Sequence, residues 1–194
     1  MKLKLGVMGS SGGAIAPELL EQAYVLGRAA AQRDLVVITG ACPGVPLAAA
    51  RGAKDVGGLV VGISPALSER EHVHRYRSPL EYHDVIIYTG SGLMGREIEN
   101  IRSSDMVVIL GGRSGTLGEF AIAFDEAKLI GGLRGSGGIA DELESLVRIC
   151  NKQTGAHVLM DDDPVRLIGR LVDGYVTHHR IRPDVFAEDV VAGL

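Results

Sequence analysis

Short apolar runs recur along the chain, each closed by glycine or a small polar residue, at residues 3–8, 35–39, 59–64, 85–88, 106–110, 128–133 and 157–160. Between them lie stretches with apolar residues at helical spacing, over 17–32, an alanine-rich segment through 56, and then 93–104, 120–127, 139–151 and 163–175. Pro17 and Pro164 suit the first turns of their helices. Near-continuous apolar strands alternating with helices predict a mainly parallel sheet covered on both faces. The expected fold is α/β, a single doubly wound Rossmann-like domain over 1–176 with a polar tail at 177–194. That tail, which contains His178-His179-Arg180, is expected to pack loosely or against a partner subunit.

The pattern fails between 65 and 84, where Arg70, His72, His74, Arg75, Arg77 and His83 sit with little apolar periodicity. A loop that long in a compact domain is usually functional or mobile. Its charges suit either a cover for an anionic ligand or a solvated surface.

In doubly wound sheets, ligands bind outside the carboxyl ends of the strands, at the topological switch point. Three glycine-rich turns fall at such ends. They are Gly9-Ser10-Ser11-Gly12-Gly13, Gly40-Ala41-Cys42-Pro43-Gly44, and Gly111-Gly112-Arg113-Ser114-Gly115-Thr116-Leu117-Gly118-Glu119. The third lies between an apolar strand and a helical pattern, so backbone N–H groups and the positive end of a helix dipole meet there. That combination binds phosphate. Candidate nucleotide or phosphate contacts are Gly9, Ser10, Ser11, Gly40, Gly44, Gly111, Gly112, Arg113, Ser114, Gly115 and Thr116. The first turn lacks the G-x-G-x-x-G spacing, and the second lacks a Walker-type lysine, which argues against a nicotinamide or ATP enzyme. Glu119 places a carboxylate beside an anion cradle, which catalysis would explain; complementing the helix dipole is the structural alternative.

Composition narrows the ligand. The chain has 194 residues, 46% hydrophobic and 23% charged, with 27 glycines, about twice the usual share. A net charge of −4 argues against a general nucleic-acid surface, and a small anionic ligand remains compatible. Cys42 and Cys150 lack metal-type spacing; Cys42 is a candidate reactive thiol, and Cys150 reads as a buried filler. Asp161-Asp162-Asp163 could hold a cation, but Asp163 before Pro164 is better read as a helix cap with solvated neighbours. Asp105 is expected to cap or end a helix, and Arg96 could simply pair with Glu97 or Glu99 on a solvated face. No apolar run reaches membrane-spanning length, and the chain opens on a strand without room for a signal peptide. The expectation is a cytoplasmic protein with neither membrane nor nucleic-acid partner.

Met94-Gly95-Arg96, Asp105 and Gly112-x-x-Gly115-Thr116-x-x-Glu119 together resemble the Lonely Guy family, within the superfamily once labelled possible lysine decarboxylases. The resemblance covers roughly residues 3–172 in element order. It implies a phosphoribohydrolase that cleaves the N-glycosidic bond of a nucleoside 5′-monophosphate. Arg96 and Glu119 would be the catalytic pair, needing no metal or redox cofactor, in a homodimer or higher multiple. Three departures stand out: Gly111 where the family has proline, Arg113 where it has a second glycine, and Glu97 where lysine usually follows the arginine. These bring the chain closer to the short branch that includes molybdenum-cofactor-carrier-like proteins. The leading reading is therefore a hydrolase of this type. The alternative is a non-catalytic carrier or sensor of a phosphorylated pterin or nucleotide. A pyridoxal-phosphate decarboxylase is rejected, because Lys2, Lys4, Lys54, Lys128 and Lys152 all lie outside the motif turns.

Overall fold

The computed structural model describes residues 1–179. Seven strands form one parallel sheet: β1 (Lys4–Gly9), β2 (Val36–Thr39), β3 (Val60–Ser64), β4 (Val85–Tyr88), β5 (Met106–Leu110), β6 (Leu129–Leu133) and β7 (His157–Asp161). Their order is β4-β3-β2-β1-β5-β6-β7, so the chain winds outward from β1 in one direction and then from β5 in the other. The doubly wound Rossmann-like fold expected from the apolar runs is the fold observed. Its switch point lies between β1 and β5, which pair in register from Leu5 opposite Met106 to Gly9 opposite Leu110.

Seven helices cover the sheet: α1 (Pro17–Gln32), α2 (Val45–Lys54), α3 (Glu69–His74), α4 (Gly92–Arg102), α5 (Ser114–Asp125), α6 (Gly138–Cys150) and α7 (Pro164–Gly174). Because strand side chains alternate between faces, the core divides in two. Leu5, Val7, Val37, Val108 and Leu110 pack with α1, α2 and α7. Met8, Val107, Ile109 and Ile130 pack with Ile101 of α4, Phe120 and Phe124 of α5, and Leu143 of α6. The glycine pair in β6 does not break the strand. A Cβ on Gly131 or Gly132 would press on Leu171 or Leu143, so the bare backbone lets α7 and α6 approach the sheet closely.

The segment 65–84 is not the continuous loop expected. It contains α3, where the Ser68 hydroxyl accepts the Glu71 N–H at 3.3 Å and the Glu71 carboxylate accepts the Leu67 N–H at 2.7 Å. Ser68-x-x-Glu71 is a capping-box spacing, and a six-residue helix is too short to show periodicity. His72 is fully buried, bridging the Ser64 hydroxyl at 2.8 Å and the Pro79 carbonyl at 3.1 Å. Cys150 is exposed rather than a buried filler. Asp105 caps no helix; it accepts the Lys4 N–H at 2.8 Å and pairs with the Lys4 ammonium, tying the starts of β1 and β5 together. Asp163 caps α7 through the Arg166 N–H at 2.7 Å. Asp161 is not solvated: it is buried between the guanidinium groups of Arg166 and Arg170, which hold its carboxyl well below the usual range. Beyond α7 a π-helical turn spans Tyr175–His179, and residues 180–194 of the expected tail lie outside the described residues.

The closest helix contact is between α1 and α2. A Cβ on Gly27 would collide with the Ala49 carbonyl oxygen, and one on Gly52 with that of Tyr24. Gly27→Ala is expected to cost about 1–3 kcal/mol through overpacking, read as a lower urea midpoint at unchanged slope. Gly169→Ala in α7, where the added methyl meets only the flexible Arg33 guanidinium, should be neutral or stabilising by about 0.5–1 kcal/mol. Equal losses at both positions would refute this account of α1–α2 packing.

Candidate functional site

A cavity of about 370 Å³ opens at the carboxyl ends of β1, β2 and β5. Of the residues singled out from the sequence, Gly9, Ser10, Ser11, Gly40, Arg96, Arg113, Ser114, Gly115, Thr116 and Glu119 line it. Gly111 and Gly112 do not; they border a neighbouring hollow of about 300 Å³ beside the β1–α1 turn. Gly44 packs behind the first turn, where a Cβ would meet the Ser10 carbonyl. Cys42, the candidate thiol, also lines the cavity, as do Pro46, Leu93, Met94 and Glu97, which were not site candidates from sequence. None of the charged side chains of 65–84 reaches it.

The Gly111–Gly112 amides are already engaged. The Gly111 N–H donates to the Ser136 hydroxyl and the Gly112 N–H to the Ser10 hydroxyl, each at 2.9 Å. Both glycines have positive φ, and a Cβ on Gly112 would strike Thr116, so this turn demands glycine. The anion-facing donors therefore sit one step later. Helix α5 begins at Ser114, not near Phe120, and no side chain caps it. Ser114, Gly115 and Thr116, whose N–H groups a helix start leaves without intrahelical partners, line the cavity. Arg113, at the edge of the cavity, donates from its guanidinium to the Gly12 carbonyl at 2.9 Å.

Arg96 is buried rather than on a solvated face. Its guanidinium lies against Gly40, where a Cβ would collide with Nη1; the glycine that follows β2 leaves room for the arginine. Nε of Arg96 has no hydrogen-bond partner among the described residues, and Nη1 stands 4.0 Å from Oε1 of Glu119. That separation is an ion pair without a direct hydrogen bond. Glu119 is 8% exposed, and burial pushes its carboxyl up to about 7, with Glu97 adding to the rise while Arg96 and the Thr116 hydroxyl oppose it. Burial likewise raises Glu97, against the pull of Arg96. One cation thus faces two buried acids. Burial also pushes the Cys42 thiol up, which keeps it protonated and makes it a poor nucleophile.

The acid has a consequence for stability. A carboxyl with raised folded-state proton affinity stabilises the native state below its unfolded value of 4.5 and loses that contribution as pH rises through about 7. The size is on the order of 3 kcal/mol. The unfolding free energy of the wild type should therefore fall between about pH 5 and pH 8, and Glu119→Gln should remove most of that slope, leaving the part due to Glu97. Urea denaturation at the two pH values measures it. A wild type equally stable at both would contradict the assigned burial.

Comparison with known proteins places the chain. An uncharacterized protein of Archaeoglobus fulgidus is 36% identical over 135 residues, which are 69% of this chain and 82% of that one. The solved molybdenum cofactor binding protein from Rippkaea orientalis is 31% identical, with a TM-score of 0.75 over 91% of this chain and 99% of that one. The molybdenum cofactor carrier protein of Chlamydomonas reinhardtii is 27% identical, with a TM-score of 0.69 over 89% of this chain and 99% of that one. The family model described as SLOG cluster4 matches residues 2–168, and this chain belongs to the SLOG cluster4 family.

Proposed function

We propose that this protein is a non-catalytic carrier or sensor of a small phosphorylated ligand, a pterin or a nucleotide, held in the cavity at the β1–β5 switch point. The observation that carries the reading is the uncapped start of α5 opening on a cavity that also holds buried Arg96. The amides of Ser114, Gly115 and Thr116 supply fixed donors to a phosphoryl group, and Arg96 supplies the positive charge. The two solved neighbours described as binding or carrying the molybdenum cofactor support a pterin as cargo.

A hydrolase is the second reading, and one observation favours it. Glu119, raised to about 7, has the proton affinity suited to general acid–base work near neutrality. In that role it would stabilise positive charge developing at the anomeric carbon and direct a water.

Calorimetric titration with nucleoside monophosphates, alongside chromatography for free base, separates the two. The carrier reading expects binding without base release. Arg96→Ala should weaken binding by about tenfold or more, the loss of a charge-assisted contact. Glu119→Gln should leave binding intact or tighten it, because a carboxylate repels the phosphate. Catalytic release of base from any purine or pyrimidine nucleotide, abolished by Glu119→Gln, would replace the carrier with the hydrolase.

We also propose self-association. Leu93, Met94 and Ile98 of α4 and Val85 and Ile87 of β4 are exposed, and Leu93 and Met94 border the cavity. A second copy seated on this apolar surface would narrow the cavity mouth. Light scattering should give a homodimer or higher multiple; a mass of about 20 kDa at micromolar concentration would eliminate it.

A further inference from the structure

Glu97 is the one cavity acid for which neither the phosphate cradle nor the Arg96–Glu119 pair accounts. It lines the cavity, is 6% exposed, and its Oε2 has no hydrogen-bond partner among the described residues. A buried carboxyl in that state is costly unless something donates to it. Among the described residues nothing donates to Oε2. The facing stretch of α5 presents bare backbone, where a Cβ on Gly118 would lie 2.9 Å from Oε2 and one on Gly115 3.5 Å from Oε1. The guanidinium of Arg96 lies against Gly40 and 4.0 Å from Glu119 and makes no hydrogen bond to Oε2 of Glu97.

A bound ligand can supply a donor to this carboxyl, though not through its phosphoryl group, whose oxygens only accept and whose charge repels a carboxylate. An ionised carboxylate accepts at both oxygens and is best matched by two parallel N–H donors. Among heterocyclic rings, an imino N–H beside an exocyclic amino group supplies that pair. Adenine and cytosine set their amino group beside an acceptor nitrogen, and hypoxanthine offers the imino donor alone.

We propose that Glu97 is the specificity-determining residue of this cavity, its carboxylate accepting from the ring N–H and the amino group of a 2-amino-4-oxopyrimidine, the edge shared by guanine nucleotides and pterins. The assignment rests on the phosphorylated-ligand reading above and narrows it to one ring chemistry. It also gives Gly118 a purpose, since a Cβ there would lie 2.9 Å from Oε2 and crowd the carboxylate.

The test is calorimetric titration of wild type and Glu97→Gln with GMP, IMP, AMP, XMP and neopterin monophosphate. Wild type should bind GMP about tenfold or more tighter than IMP or AMP, the loss expected when a charge-assisted hydrogen bond is removed. Neopterin monophosphate binding tighter than GMP assigns a pterin, and the reverse order assigns a guanine nucleotide. Glu97→Gln should lose the preference for GMP over IMP and gain affinity for XMP, because the amide donates to the 2-oxo group. Equal wild-type affinities for GMP, IMP and AMP, or a preference that survives in Glu97→Gln, overturns the assignment while leaving the phosphate cradle standing. If none of the five ligands binds, the carrier reading falls and this one with it. The wild-type GMP-to-IMP ratio needs no variant, so a misfolded Glu97→Gln would not shield the proposal.

Discussion

The parallel pairing of β1 with β5 is the constraint from which the site follows. With Gly9 opposite Leu110, both chains leave the sheet at one point, and their following helices must go to opposite faces, α1 to one core and α5 to the other. The divergence opens a crevice that no packing can fill without reversing the winding. The Ser10 hydroxyl closes its base by accepting the Gly112 N–H, so the turn after β1 fixes the turn after β5. The start of α5 is thereby aimed at the crevice with its first-turn amides unspent. Among the described residues side chains cap only α3 and α7; α5, like α1, α2, α4 and α6, has no side-chain cap, and its first-turn residues Ser114, Gly115 and Thr116 line the cavity.

Electrostatics make the second constraint. Arg96 enters from α4 into the space left by Gly40, the residue after β2, and there it meets two buried acids, Glu97 and Glu119. Without ligand the arrangement is under-satisfied: Nε of Arg96 and Oε2 of Glu97 both lack partners among the described residues. Buried polar groups are normally paired, and a cluster of exceptions lining one cavity points to chemistry that a bound molecule completes.

The strands were readable because a fully covered parallel strand is a continuous apolar run ended by glycine, a signal local to a few residues. Arg96 and Glu119 were readable through a motif that spans β5. Two helices were misread for opposite reasons. Helix α3 is too short to show a period, although its Ser68–Glu71 cap was visible. Helix α5 starts at Ser114 despite Gly115 and Gly118, poor helix formers that tertiary packing against α4 overrides. What could not be read was anything set by two elements meeting. The clearance of Gly40 for the Arg96 guanidinium joins β2 to α4, and the burial of Glu97 joins α4 to α5. Glu97 was conspicuous as a departure from the family's lysine, yet only its position against bare helix backbone gives that departure meaning.

A carboxyl near an anion cradle becomes intelligible when proton affinity is included. With its value at about 7, Glu119 can take up a proton at modest cost near neutral pH. A phosphoryl group seated at the α5 start, as proposed, would raise that proton affinity further by like-charge repulsion. Ligand and proton would then favour each other's binding by the same factor, as linkage requires. A protonated Glu119 also turns from an acceptor into a donor, adding one hydrogen bond to an oxygen-rich ligand. The same side chain would serve a hydrolase only when ionised at the moment of bond breaking. Retention and turnover thus ask for opposite charge states of one residue, and burial, opposed by Arg96 at 4.0 Å, leaves both states within reach. Closing that gap to a direct hydrogen bond would fix Glu119 as a carboxylate and tilt the site toward chemistry; widening it would favour the neutral acid and a site that only holds.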